Sequence, residues 1–151
     1  MTNRTAAPAA QPVAFMAWSA TEAILAYVRG VLARVDLTQP QWWTLVHVDG
    51  AEHGITREEL RTRPGGFPYG VGPDDMGYAV DSLLHREWLA ADDAGRLTLT
   101  AAGSEAKAWA KELMGQVRSE IHDGITDEEY ATVPAVLQRM IGNVGGAGAA
   151  R

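Results

Sequence analysis

Apolar residues recur along this chain at two spacings, and the switches between them mark its elements. Val13, Ala17, Ile24, Leu25, Val28, Val31, Leu32 and Val35 follow intervals of three and four, with Trp18 and Tyr27 beside them. The pattern predicts a first helix of roughly twenty residues, with an apolar stripe too wide for one neighbour to cover. Thr38-Gln-Pro-Gln41 is a capping box, in which hydroxyl and amide satisfy each other's exposed backbone donors, and it opens a short apolar helix through Trp42, Trp43 and Val48. Thr56-Arg-Glu-Glu59 opens a brief third helix around Leu60, ended by Arg63 and Pro64. Three prolines and four glycines between Arg63 and Pro73 exclude regular structure there, so a loop follows, carrying Phe67 and Tyr69.

From Pro73 to Gly103 the period changes twice. Pro73, Asp74 and Asp75 suit the first turn of a helix, proline because its missing donor is not needed there and the carboxylates because they face the positive end of the dipole. Met76, Val80, Leu83, Leu84 and Trp88 then form one apolar face, with Tyr78, Asp81, Ser82 and His85 turned away. Trp88-Leu-Ala-Ala91 enters a strand, Asp92-Asp-Ala-Gly95 has turn chemistry, and Arg96-Leu-Thr-Leu-Thr100 alternates as a second strand does. A long helix begins near Thr100, with Ala106, Trp109, Leu113, Val117 and Ile121 on one side, and stops around Asp123-Gly124. Thr126-Asp-Glu-Glu129 caps a last helix striped by Tyr130, Val133, Leu137 and Ile141. Residues 1–12 and 145–151 read as disordered tails.

The length of 151 residues fits a single compact unit, or one unit with a dimer arm, and 46% hydrophobic content suffices for a packed core. With no cysteine the chain has neither disulfides nor thiolate metal ligands, and a reducing cytoplasm is the expected compartment. Neither a signal-peptide core nor a run of membrane-spanning length is present. Thirteen basic against 19 acidic residues give a net charge of −6, which opposes non-specific attraction to nucleic acid or anionic lipid.

The order of these elements, with Leu37-Thr-Gln-Pro-Gln-Trp42, Leu83-Leu-His-Arg-Glu-Trp-Leu89 and Leu99-Thr-Ala-Ala-Gly103 in sequence, resembles the MarR family of winged helix-turn-helix regulators from about Val13 to Val144. The resemblance implies a mainly α fold with a small β-hairpin wing and an α-helical dimerisation region. Residues 13–36 and 101–144 would make that region, and residues 37–100 the winged domain. It further implies a homodimer that places its fourth helix in a DNA major groove and its wing along the minor groove. Small phenolic or aromatic ligands commonly bind such proteins where the winged domain meets the dimer helices. A dimer also follows from the stripes themselves, since a small winged domain cannot cover three apolar helices.

Charge argues against an ordinary DNA reader. From Ile55 to Thr100 five arginines stand against eight acids, so the half expected to meet DNA is negative by three. The outward face of the reading helix offers Asp74, Asp75 and Asp81, where base and phosphate contacts call mainly for Arg, Lys, Asn and Gln. The turn before that helix is replaced by the loop Pro64 to Pro73, and the wing turn has only Arg96 behind it. The candidate DNA contacts are Arg57, Arg61 and Arg63 on phosphates, Tyr78 and Ser82 on bases, and Arg96 in the minor groove. The alternative for each arginine is a solvated ion pair with a nearby acid.

A competing function keeps the fold for its pocket, with weakened or lost DNA binding. Trp18, Tyr27, Trp42, Trp43, His47 and Trp109 lie on the first, second and fifth helices, and flat aromatic walls with a polar tip suit a small aromatic ligand. The Phe67 and Tyr69 loop would act as a lid, and the plain alternative for these aromatics is core. Catalysis is the weakest reading: His47, His85 and Arg86, with Asp81 or Glu52 as partners, fall in no recognisable catalytic spacing. The four histidines have no ligand-type spacing, so neither a metal nor a cofactor is expected.

Overall fold

The computed structural model describes residues 12–66 and 70–145; Phe67 and Tyr69, and with them the expected lid, lie outside the described residues. The elements are α1 (Val13–Ala33), α2 (Gln39–Asp49), α3 (Arg57–Arg61), α4 (Pro73–His85), β1 (Leu89–Ala91), β2 (Leu97–Leu99), α5 (Ala101–Ile121) and α6 (Asp127–Asn143).

Local chemistry sets most of these boundaries. All three capping boxes form, the Thr38, Thr56 and Thr126 amides each donating to the Gln41, Glu59 or Glu129 side chain at 2.9 Å. Thr100 caps α5 by accepting from the Gly103 amide at 3.1 Å. The α1 and α4 helices stop alike, on a left-handed residue that lets the next amide reach back a full turn. Those residues are Asp36 (φ 53°) and Glu87 (φ 59°), and Leu37 and Trp88 donate to the Leu32 and Leu83 carbonyls at 3.0 Å. Neither is glycine. Arg86 ties the two corners together by donating from Nη1 to the Asp36 carbonyl at 2.6 Å.

The hairpin pairs Leu89 with Leu99, Ala90 with Thr98 and Ala91 with Leu97. Asp92 closes its turn, with Oδ1 accepting from the Ala94 and Arg96 amides at 3.0 and 2.8 Å. Ile55 adds a bridge to Leu97 on the other edge, so the wing has a third strand position between α2 and α3 that alternation alone did not predict. A single residue leaves no period to detect.

The core gathers Leu32, Val35, Leu37, Leu45, Val48, Ile55, Leu60, Val80, Leu83, Leu89, Leu97 and Ala110. The α4 helix joins it through Val80 and Leu83 and also buries Met76, as the period predicts, together with Ala79. Trp88 lies past the end of α4 and is only part-buried, because the left-handed Glu87 turns the chain before a further helical turn forms. Gly103 lets α5 cross the hairpin: a Cβ there would stand 1.9 Å from the Trp88 carbonyl oxygen.

Two further expectations change. On α5 the buried line runs through Gly103, Ala110 and Val117, which rotates Trp109 outward to 58% exposure. The α5 helix also ends at Ile121, with His122 as its cap, before the left-handed Gly124. Among the described residues α6 buries none, and its interior Pro134 leaves the Tyr130 carbonyl without its helical donor. The faces of α1 and α6 that carry Val13, Met16, Ile24, Val133 and Ile141 are exposed, and between them lies an apolar groove of about 540 Å³ that Leu25 and Leu137 also line. No helix among the described residues is long and apolar enough to cross a membrane.

Candidate functional site

The surface made by α3, α4 and the wing collects most of the candidate DNA contacts. Tyr78 stands on the outer face of α4 at 73% exposure. Ser82 does not turn away to solvent: it is half-buried, and its Oγ accepts from Gln41 Nε2 at 2.9 Å, a tie between α2 and α4. Gln41 is itself buried, so the Ser82 hydroxyl is engaged toward the interior of the protein.

The arginines are largely occupied. Arg57 on α3 reaches Asp81 on α4 at 2.5 Å. Arg61 makes a two-point bond to Glu58, Nε to Oε2 at 2.9 Å and Nη2 to Oε1 at 2.6 Å. Arg96 on the wing donates to the Gly54 carbonyl at 3.1 Å and to both Glu59 oxygens at 3.3 and 3.4 Å. Arg63 forms no ion pair among the described residues. The Arg61 hydrogen bond holds the Glu58 carboxyl below its ordinary range and in turn raises the Arg61 guanidinium. Glu59 is lowered first by the Thr56 amide and then by Arg96.

The six aromatic-site candidates are dispersed over the fold. Trp42 and Trp43 pack against the core, and the His47 ring stacks on Trp43 with centroids 3.9 Å apart. His47 Nδ1 lies 2.8 Å from the Trp43 carbonyl; burial lowers the imidazole pKa, outweighing that hydrogen bond, and the Arg63 charge lowers it further. Trp18 and Tyr27 are 57% and 42% exposed on α1. Trp109 instead lines a cleft of about 560 Å³ with Arg34, Asp36, Arg86, Trp88 and Glu105, between the end of α1, the α4 to β1 corner and the start of α5. In it the Arg86 guanidinium lies 3.6 Å over the Trp88 ring. Trp88 and Arg34, which are not among the aromatic-site candidates, reach this cleft only through the corner at Glu87 and the stop of α1. No group of His, Asp and Glu among the described residues has the arrangement of a metal site.

The sequence matches no protein-family model and no curated protein. The fold superposes on reduced MarR from E. coli with a TM-score of 0.66 at 20% identity, covering 87% of this chain and 95% of that one. It superposes on the transcriptional repressor CouR at 0.69 and 19% identity, over 85% and 91% of the two chains. The chain has the MarR fold. A Mycobacterium tuberculosis MarR family protein in complex with DNA matches at 0.65 and 18% identity, over 90% of this chain and 99% of that one. In this chain α4 opens on Asp74 and Asp75, and the one arginine of the short wing, Arg96, is bonded to Glu59 of α3.

Proposed function

We propose that the chain is a dimeric, DNA-binding transcriptional regulator whose grip on DNA responds to a small aromatic ligand. The observation that carries the reading is the pairing of an exposed helix, seated on a core beside a hairpin wing, with two long helices whose apolar faces are uncovered in one protomer. The first part is a surface shaped for a groove. The second is what a self-complementary two-fold interface supplies. Relatives of this fold support it further: the M. tuberculosis protein is described in complex with DNA, with salicylic acid and with p-aminosalicylic acid.

For the ligand seat we assign the cleft of Trp109, Trp88, Arg86 and Arg34. The Trp109 indole gives a flat apolar wall, and the guanidiniums of Arg34 and of Arg86, which lies over Trp88, suit a carboxylate, so the class is a planar aromatic acid. The cleft joins α1 and α5 to the end of α4, where a ligand would act on the angle between dimer helices and reading helix. Trp18, Tyr27, Trp42, Trp43 and His47 are then interface and core residues rather than ligand contacts.

The test is a salt-titrated binding assay against the DNA directly upstream of the coding sequence. Regulation predicts sequence-selective binding that weakens as salt rises, and absence of binding at low salt contradicts it. Salicylate should quench tryptophan fluorescence in the wild type and much less in Trp109→Phe. An equal response in both removes the assigned seat.

A further inference from the structure

Three of the four arginines that the reading surface could offer to phosphates are bonded to the protein's own acids, and two of those bonds join elements far apart in sequence. Arg57 and Asp81 link α3 to α4, and Arg96 and Glu59 link the wing to α3. Arg61 and Glu58 pair within α3. Every partner is substantially exposed: the Asp81, Glu59 and Glu58 side chains retain 64%, 49% and 66% of their accessibility. Exposed pairs of this kind hold weakly, so a phosphate can compete for the guanidinium. The competition is unequal, however. An arginine that turns to DNA leaves a carboxylate facing the same phosphate backbone, which a lysine- or arginine-rich surface with no such partner never has to do.

We propose that Glu58, Glu59 and Asp81 act as built-in counterions that mask the phosphate-binding arginines and set the DNA affinity of the head well below what its fold allows. The inference rests on the DNA-binding reading above and deepens it. Removing the three negative charges takes the segment from Ile55 to Thr100 from a charge of −3 to zero. It also frees three guanidiniums to displace condensed cations from DNA, which steepens the dependence of log K on log salt by about 0.9 for each further phosphate neutralised. Between 50 and 200 mM salt each such phosphate costs roughly another three- to four-fold in affinity, so three of them cost roughly forty-fold.

The experiment compares the wild type with Glu58→Gln/Glu59→Gln/Asp81→Asn by fluorescence anisotropy. The probes are labelled duplexes of about three helical turns, one from the upstream DNA and one of mixed sequence, in 25 to 200 mM KCl. The amide replacements keep shape, and glutamine preserves the capping box at Thr56; thermal melts verify that both proteins are folded. The expected result is at least ten-fold tighter binding to both duplexes at 50 mM KCl and a slope steeper by two to three units, by the counterion arithmetic above. Adding Arg57→Gln/Arg61→Gln/Arg96→Gln to the neutralised protein should abolish the gain. Coincident slopes for wild type and neutralised protein overturn the proposal, as does a gain that survives loss of the arginines. If the wild type prefers its upstream duplex and neutralisation changes nothing, the regulator reading stands and the masking falls. If the neutralised protein gains affinity but neither protein prefers the upstream duplex, masking stands and sequence-specific regulation falls. No binding by either protein overturns both.

Discussion

Adding one carbon at Gly103 tests how α5 is anchored to the reading head. A Cβ there would lie 1.9 Å from the Trp88 carbonyl oxygen, 2.9 Å from its carbon and 3.2 Å from its Cα, all backbone atoms that no rotamer change can move aside. Ordinary contact requires an opening of about 1.5 Å, far more than a packed interior yields without cost. That shift also pulls on the Thr100 amide, which donates to the same carbonyl at 3.2 Å, and on the Thr100 hydroxyl, which donates to the Glu87 carbonyl at 2.6 Å. Overpacking of this sort costs ~1–3 kcal/mol, and a strained or broken hydrogen bond adds ~1 kcal/mol. Alanine's better helix propensity returns somewhat under 1 kcal/mol. The net for Gly103→Ala is about 2 kcal/mol, a fall in Tm of roughly 4–8 °C for a chain of this size. Gly77→Ala is the control, since Gly77 sits inside α4 with nothing within 4 Å of an added Cβ. It should gain ~0.5–1 kcal/mol. Urea and thermal melts of both variants decide it. A Gly103→Ala protein that melts within about 2 °C of wild type, or two variants that shift together, would refute the close crossing of α5 over the hairpin.

Ser82→Ala should cost ~1 kcal/mol by removing the acceptor for buried Gln41, and in a Gln41→Ala background the same change should cost almost nothing; additive losses in a double-mutant cycle of melts would show that the two residues do not interact. His47 is depressed chiefly by burial, so the unfolded chain takes up a proton at higher pH than the folded one. Stability should therefore be fully present above the ordinary histidine range of about 6.5 and should decline as the pH falls through the lower folded value, with the decline reduced in His47→Asn; identical profiles for the two proteins would contradict the burial. Val133→Asp/Leu137→Asp puts two carboxylates into the α1 and α6 groove and should dissociate the proposed dimer at micromolar concentration without unfolding α2 to β2, as size-exclusion chromatography and circular dichroism will report; an unchanged elution volume counts against that interface.

What was legible in the sequence was whatever short-range chemistry determines. The capping boxes at Thr38, Thr56 and Thr126 fix helix starts within four residues, and the Met76, Val80 and Leu83 face follows from a period that packing simply ratifies. The Leu99-Thr-Ala-Ala-Gly103 phrase carried its glycine for a reason visible only once α5 was laid over Trp88. What escaped were contacts between distant segments. Arg57 and Asp81 are 24 residues apart, Arg96 and Glu59 are 37 and Gln41 and Ser82 are 41, and no local pattern encodes such pairs. The charge count did anticipate that acids would crowd the arginines, without saying which acid meets which arginine. The dispersal of the six aromatic candidates escaped for a related reason. A helical wheel gives relative angles and no absolute one, so a modest rotation of α5 puts Ala110 in the core and Trp109 in a different cleft from Trp42 and Trp43.

Sedimentation velocity on the protein alone and with its upstream duplex reads both the pairing of the arms and the engagement of DNA in one run. A species of twice the 16.2 kDa chain mass is expected at micromolar concentration. With the duplex, a complex of two chains per duplex should form at low salt and dissolve as salt rises. A monomer that persists at high concentration, with a duplex that sediments as if the protein were absent, would contradict both.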